Sequence, residues 1–230
     1  MRLWSREEWG ARPPKNTPNP IYGAKGLVVL HHTVTPQPGT PDDGAAWCRE
    51  IQGWHMDGNG WNDIGYNFLV GAGNGYVGRG WGIVGAQCEG YNSQSHGIAL
   101  LANGEQAPVS DADLRAVAAL IREGLGNGWI DPAWSLVPHG DLNATACCGG
   151  YIRAQIPTII EYVNGGGPMT PTEEAVRAAY LKWAFREPDA GGLAYWSAQI
   201  DSGACTLEYV IQSLVNAEGW DRLAQAAGLR

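Results

Sequence analysis

Short apolar runs bounded by glycine recur through the first 160 residues: LVVLHH (27–32), YNFLVG (66–71), YVGRG (76–80), GIALLA (97–102) and LVPHG (136–140). Their length and β-branched content predict strands. Between them, DDGAAWCREIQGWHMD (42–57) places Trp47, Ile51 and Trp54 on one helical face. DADLRAVAALIREGL (111–125) turns Leu114, Val117, Leu120 and Ile121 inward, with Ser110 and Asp113 set to cap its start. Strands interleaved with helices predict an α/β domain, a central mixed sheet flanked by helices, over residues 1–163. The pattern then breaks. Residues 164–171, NGGGPMTP, interrupt every period and read as a linker. Thr170, Pro171 and Glu173 next supply an N-cap, a first-turn proline and a capping-box acid. EEAVRAAYLKWAF follows with Val176, Tyr180, Trp183 and Ala184 at helical spacing, and then GLAYWSAQI and TLEYVIQSLVNAEGW. These segments predict a small all-α unit over residues 172–230, near the lower size limit for a core of its own.

Composition narrows the possible partners. The chain has 230 residues, a formal charge of −8 and no run of Lys and Arg, which excludes the phosphate-neutralising surface of a nucleic-acid binder. The same balance gives no basic handle for an anionic membrane, and no apolar stretch approaches the ~20 residues of a membrane span. Eleven Trp against two Phe supply indole faces for packing or for stacking on sugars. Five cysteines cannot all pair, and the adjacent Cys147 and Cys148 are poorly placed to bridge each other. A reducing compartment at synthesis is the simplest fit. MRLWSREEWGARPP lacks the apolar segment of a secretory leader, so the expectation is either residence in the cytoplasm until release or a leader already removed from this sequence.

Three side chains far apart in sequence read as one metal site: His31 at the end of an apolar strand, and His139 with Cys147 eight residues on, in HGDLNATAC. Two imidazoles and a thiolate are one donor short of a tetrahedron, and an open position separates a catalytic zinc from a structural one. His32 follows a ligand on a strand and so points to the opposite face.

IQGWHMDGNGWNDIGYNFLVGAGNGYVGRGWGIVGAQCEGYNSQSHGIALLANG is similar to the central block of peptidoglycan recognition proteins and the related type 2 amidases. WGARPP, VVLHHT and HGDLNATAC are further landmarks in the same order, and the resemblance covers about residues 3–163. It implies zinc-dependent cleavage of the amide between N-acetylmuramic acid and L-alanine in bacterial peptidoglycan. Carried over by position, the zinc ligands are His31, His139 and Cys147. Tyr66 matches the tyrosine such amidases hold beside the metal, and Thr145 matches a threonine of the animal-type branch. Asp141 stands either as an orienter of His139 or its loop, or as a solvated carboxylate. His55, Trp61, Arg79, Trp81 and Asn92 fall in segments that line the peptide-stem groove of the family, although both tryptophans could equally be core. Departures include Cys147-Cys148-Gly149 for the usual Cys-Pro-Gly, HGD for HRD, and GAQ for GAH at residues 85–87.

FREPDAGGLAYWSAQIDSG with VIQSLVNAEGW resembles a short helical domain of unknown function found at the ends of bacterial secreted and phage proteins. It reads as a cell-wall anchor, with plain stability or oligomerisation as the alternative. The combined expectation is a monomeric phage endolysin. A wall-remodelling amidase and a non-catalytic peptidoglycan receptor are the alternatives.

Overall fold

Six strands and three helices build the first part of the chain in the computed structural model, which describes residues 1–166, 169–184, 186–188 and 190–216. The strands are β1 (Leu3–Trp4), β2 (Lys25–His32), β3 (Phe68–Gly71), β4 (Asn74–Val77), β5 (Ser95–Leu100) and β6 (Ile130–Pro138). They form one mixed sheet in the order β1-β4-β3-β5-β2-β6. Only β3 and β4 pair antiparallel; every other neighbouring pair is parallel. Each predicted run therefore contains a strand, although Tyr66-Asn67, the GRG of YVGRG, Leu101-Ala102 and His139-Gly140 lie outside the strand bounds.

Both faces of the sheet are covered, as parallel pairing demands. On one face Val28, Leu30, Phe68, Val70, Ile98 and Leu100 meet α2 (Asp111–Gly126) and α3 (Gly150–Val163) in one buried cluster. On the other, Leu69, Ala99, Leu101 and Tyr76 pack with Trp9 and with Ala45, Cys48 and Ile51 of α1 (Pro41–Gly53). Alternation along each strand divides the two sets. The inward residues expected of α2 are all buried, and its Ser110 cap accepts the Asp113 N–H. Thr40 and Asp43 make a full capping box at α1. Trp54 departs from its expected inward position: it is 48% exposed at the end of α1, where a π-helical turn, Trp54–Gly58, begins, with its ring 6.3 Å from that of Trp47. Helix α3 was not indicated by the sequence pattern; Pro157 sits in its middle and breaks the usual helical signal.

His96 of β5 is fully buried, edge-on to Trp81 at 4.9 Å, with Nε2 facing the Trp129 carbonyl at 3.2 Å. Burial pushes its pKa down to about 4, against the opposing Trp129 hydrogen bond. The unfolded imidazole titrates near ~6.5. Between these values the unfolded chain binds the extra proton, so stability falls as pH drops, by up to about 1.4 kcal/mol per unit from this one group. Urea denaturation across that window should show a shallower acid slope for His96→Gln; an unchanged slope would assign the acid sensitivity to other groups.

The chain divides into two compact units, Met1–Val163 and Asn164–Arg230. The second contains α4 (Pro171–Ala179), a π-helical turn Tyr180–Ala184, α5 (Ala190–Asp201) and α6 (Leu207–Leu214). Its core is Val176, Ala179, Tyr180, Ala184, Val210 and Leu214, with Trp196 donating its Nε1–H to the Tyr180 hydroxyl at 3.1 Å. Thr170 and Glu173 form the expected capping box. Trp183 does not join the core as its spacing suggested and is 37% exposed. Asp189 of the tail motif and the residues from 217 onward lie outside the described residues. Among the described residues no helix is long and apolar enough to cross a membrane.

Candidate active site

β2 and β6 are parallel, with Leu30 beside Pro138, so the residues that follow, His31 and His139, emerge side by side at the carboxyl ends of their strands. This is the edge where open α/β sheets place their sites. Their rings stand 4.5 Å apart between centroids. The loop after β6 turns back and presents Cys147, whose Sγ lies 3.6 Å from His31 Nδ1 and accepts the His32 backbone N–H at 3.3 Å. One donor atom from each of His31, His139 and Cys147 falls within 4.8 Å of the others. Donors on a tetrahedral centre with metal–ligand bonds of 2.0–2.3 Å stand roughly 3.3–3.6 Å apart, so small side-chain movements close the set around an ion.

The surrounding electrostatics suit a cation. Burial depresses the His31 pKa to about 3, helped by the neighbouring charge of His139 and opposed by its hydrogen bond to the Gln87 amide oxygen. Burial lowers His139 too, against its bond to Asn143. Both rings are therefore neutral, with a lone pair to give. Burial raises the Cys147 thiol to about 12, partly offset by the His32 N–H. A thiolate buried beside neutral rings requires a positive charge to stabilise it.

A cavity of about 310 Å³ opens over this cluster, lined among others by His55, Trp61, Tyr66 and Thr145. The π-helical turn carries His55, whose Nδ1 accepts the Gly65 N–H at 3.0 Å, leaving its Nε2–H free to point elsewhere. Its ring packs on Trp61 at 4.7 Å and on Tyr66 at 5.5 Å. Gly65 is required here: a Cβ would come within 2.7 Å of the Ala86 carbonyl oxygen and 2.9 Å of the Trp61 ring. Tyr66 also stands 5.2 Å from the His31 ring and lines the cavity beside it. Burial raises its pKa, and the Cys147 charge adds to this, so the phenol remains a donor. Val34, on the rim, holds a left-handed backbone (φ 59°) that a β-branched residue adopts only under strain, of the order of 1–3 kcal/mol.

Three residues expected in the groove lie elsewhere. Trp81 is core: it packs between Phe68 (4.4 Å) and His96, and donates its indole N–H to Glu123 at 3.2 Å. Arg79 clasps backbone, donating to the carbonyls of Ile64 (2.6 Å) and Val84 (2.8 Å) in a separate cavity of about 190 Å³ shared with Arg6 and Asp63. Asn92 folds a loop, accepting the N–H groups of Gln87 and Cys88. Thr145 lines the cavity, and its hydroxyl also accepts the Cys147 N–H at 3.3 Å. Asp141 pairs with Arg153 at 2.7 Å rather than with His139. That exposed pair contributes under about 1 kcal/mol and ties the loop to α3. Cys148 points into the α2/α3 core, fully buried.

Two contacts escaped the sequence reading: Gln87 Oε1 at 2.5 Å from His31 Nε2, and Asn143 Oδ1 at 3.0 Å from His139 Nε2. For Gln87 the only available signal was that GAQ stands where GAH is usual.

Residues 23–150 match the family model described as N-acetylmuramoyl-L-alanine amidase. The chain belongs to this family. Within it, the chain is 39% identical over 159 residues to peptidoglycan-recognition protein LB of Drosophila melanogaster, covering 67% of each protein. It is 39% identical over 153 residues to the human N-acetylmuramoyl-L-alanine amidase, covering 63% of this chain and 26% of that one. A solved structure of a point mutant of Drosophila PGRP-LB in complex with tracheal cytotoxin superposes with a TM-score of 0.66 at 36% identity, over 68% of this chain and 94% of that one. The family-model match lies within the sheet domain, whose mixed sheet and flanking helices are the family's fold.

Proposed function

We propose that the chain is a zinc-dependent N-acetylmuramoyl-L-alanine amidase that hydrolyses the muramic acid–L-alanine amide of bacterial peptidoglycan. The observation that carries this reading is the convergence of His31, His139 and Cys147 donors beside Tyr66 at the floor of one cavity. Two imidazoles and a thiolate match zinc's preference for nitrogen and sulfur, and no fourth protein donor joins them among the described residues. Zinc held there would acidify a water and polarise the scissile carbonyl. The chain's own residues do the rest. Tyr66 donates its phenolic hydrogen to the carbonyl oxygen as negative charge grows there. His55 and Trp61 form the wall against which a glycopeptide lies, the ring face stacking and the imidazole N–H donating. Thr145 holds the Cys147 turn and offers a hydroxyl at the mouth.

The test is release of free stem peptide from purified muropeptides, its loss with chelator and its return with added zinc. Binding without turnover, unaffected by chelator, would favour a receptor instead.

The helical C-terminal unit is proposed as a wall anchor. Tyr195 and Tyr209 are 56% and 60% exposed, and both rings neighbour Trp196, an arrangement that suits stacking on sugars. Removing residues after Asn164 should leave hydrolysis of soluble muropeptides within about two-fold, while retention on sedimented cell walls falls at least about five-fold, the avidity a second contact supplies. Equal sedimentation of the truncated chain would remove the anchoring role. The five free cysteines, with one needed as a thiolate, fit synthesis in a reducing cytoplasm. Together with the modular layout they support a phage endolysin that acts on the wall at lysis.

A further inference from the structure

Each candidate ligand imidazole is held by a neutral amide, and the proton order of both amides is set by backbone carbonyls of one loop. The Tyr91 carbonyl can only accept, so the Ser95 hydroxyl donates to it at 2.9 Å. Ser95 Oγ then accepts from the Gln87 amide nitrogen, also at 2.9 Å. This turns Gln87 Oε1 toward His31 Nε2, 2.5 Å away. An amide oxygen has no hydrogen to give, so Nε2 carries the proton and Nδ1 keeps its lone pair toward Cys147.

A second chain repeats the logic. The Glu89 carbonyl accepts from Asn143 Nδ2 at 3.3 Å, so Asn143 Oδ1 faces His139 Nε2 at 3.0 Å, and it also receives the buried Cys88 thiol at 2.9 Å. Gln87 and Cys88 are adjacent, and Asn92 Oδ1 accepts both of their backbone N–H groups, at 2.8 and 2.9 Å. The fit is close. A Cβ on Gly97 would come within 2.4 Å of Gln87 Cγ, so only glycine leaves room for the side chain.

We propose that the loop of residues 86–92, together with Asn143 from the loop after β6, is a tautomer clamp, in which Gln87 and Asn143 are positioning residues that preset both imidazoles as Nε2–H and hold both Nδ1 atoms ready for the metal ion. The inference rests on the metal reading above and deepens it. Amides in place of the commoner carboxylates orient the rings without adding negative charge to a pocket whose Cys147 sulfur would become a thiolate when a cation binds. The clamp therefore favours a cation through geometry, and Asn92 belongs to it rather than to the groove.

The test uses the full chain, with Zn²⁺ affinity from chelator competition, the visible spectrum of the Co²⁺-loaded protein, and nitrogen-15 NMR of the metal-free histidines. In metal-free wild type, His31 and His139 should both show the Nε2–H tautomer. Gln87→Leu and Asn143→Leu should each weaken Zn²⁺ binding by about 10–100-fold, the usual cost of losing an outer partner, and shift the Co²⁺ bands. Gln87→Glu and Asn143→Asp, which keep an acceptor at the same place, should restore affinity to within about ten-fold of wild type. These acidic variants also report when a leucine variant fails to fold. Nδ1–H signals in wild type overturn the clamp. So do leucine variants that bind as tightly as wild type with unshifted bands, or acidic variants that lose as much as leucine. A wild-type chain that binds no Zn²⁺ at all would instead remove the metal reading itself.

Discussion

Cys147→Ser should lose Zn²⁺ binding and muropeptide hydrolysis together, by more than the ~10–100-fold that an outer partner costs, whereas Cys148→Ser should change neither by more than about two-fold at matched folding. The two sulfurs are neighbours in sequence with opposite surroundings. Cys147 Sγ faces His31 Nδ1 and the His32 N–H in the cavity floor; Cys148 is buried against the α2/α3 cluster and is absent from the donor set. A serine hydroxyl at 147 keeps the hydrogen bond but is a poor anion at neutral pH, so the soft donor is lost while the loop survives. Burial raises both thiols, so it is position that separates them: Cys148 packs in the core cluster and is not among the converging donors. Its serine variant costs stability rather than metal. Metal analysis of the two purified variants decides the matter, and metal retained in Cys147→Ser but lost in Cys148→Ser would transfer the ligand role.

Tyr66→Phe should reduce kcat by about 10²–10³-fold, the usual cost of one donor to a developing oxyanion, with metal content unchanged and KM moved little. The reasons are local. The phenol stands between the His31 and His55 rings and is held protonated by burial. Removing one oxygen leaves the ring packing intact, so unfolding stability should barely change. A rise in KM at constant kcat would make Tyr66 a binding residue, and equal rates in the two proteins would end its catalytic role.

The comparison of residue pattern with fold is instructive where it fails. Trp81 and Trp61 looked alike as indoles in a Gly-rich segment, yet one is 8% exposed against Phe68 and the other 37% exposed over the cavity. Nothing local separates them; the difference is whether the fold packs the ring against Phe68 and His96 or beside His55 at the cavity. Arg79 was legible as a cation but not as one whose donors are taken up by the Ile64 and Val84 carbonyls. Helix α3 was hidden by Pro157, because a proline normally ends a helix and only packing of Ile152, Ile156 and Ile159 against the sheet overrides it.

By itself the sequence determined the alternation of strands and helices, the helix caps at Ser110 and Thr170, the break near residue 164, and which residue types could hold an ion. Those properties are local, written in side-chain period and capping chemistry over a few residues. Only the tertiary structure decided that Gln87 and Asn143 stand against the two imidazoles, that Cys147 rather than Cys148 faces them, and that Trp81, Arg79 and Asn92 lie outside the cavity lining. Those facts depend on parallel pairing of β2 with β6 and on loops that meet across more than fifty residues, and such distances leave no mark on local pattern.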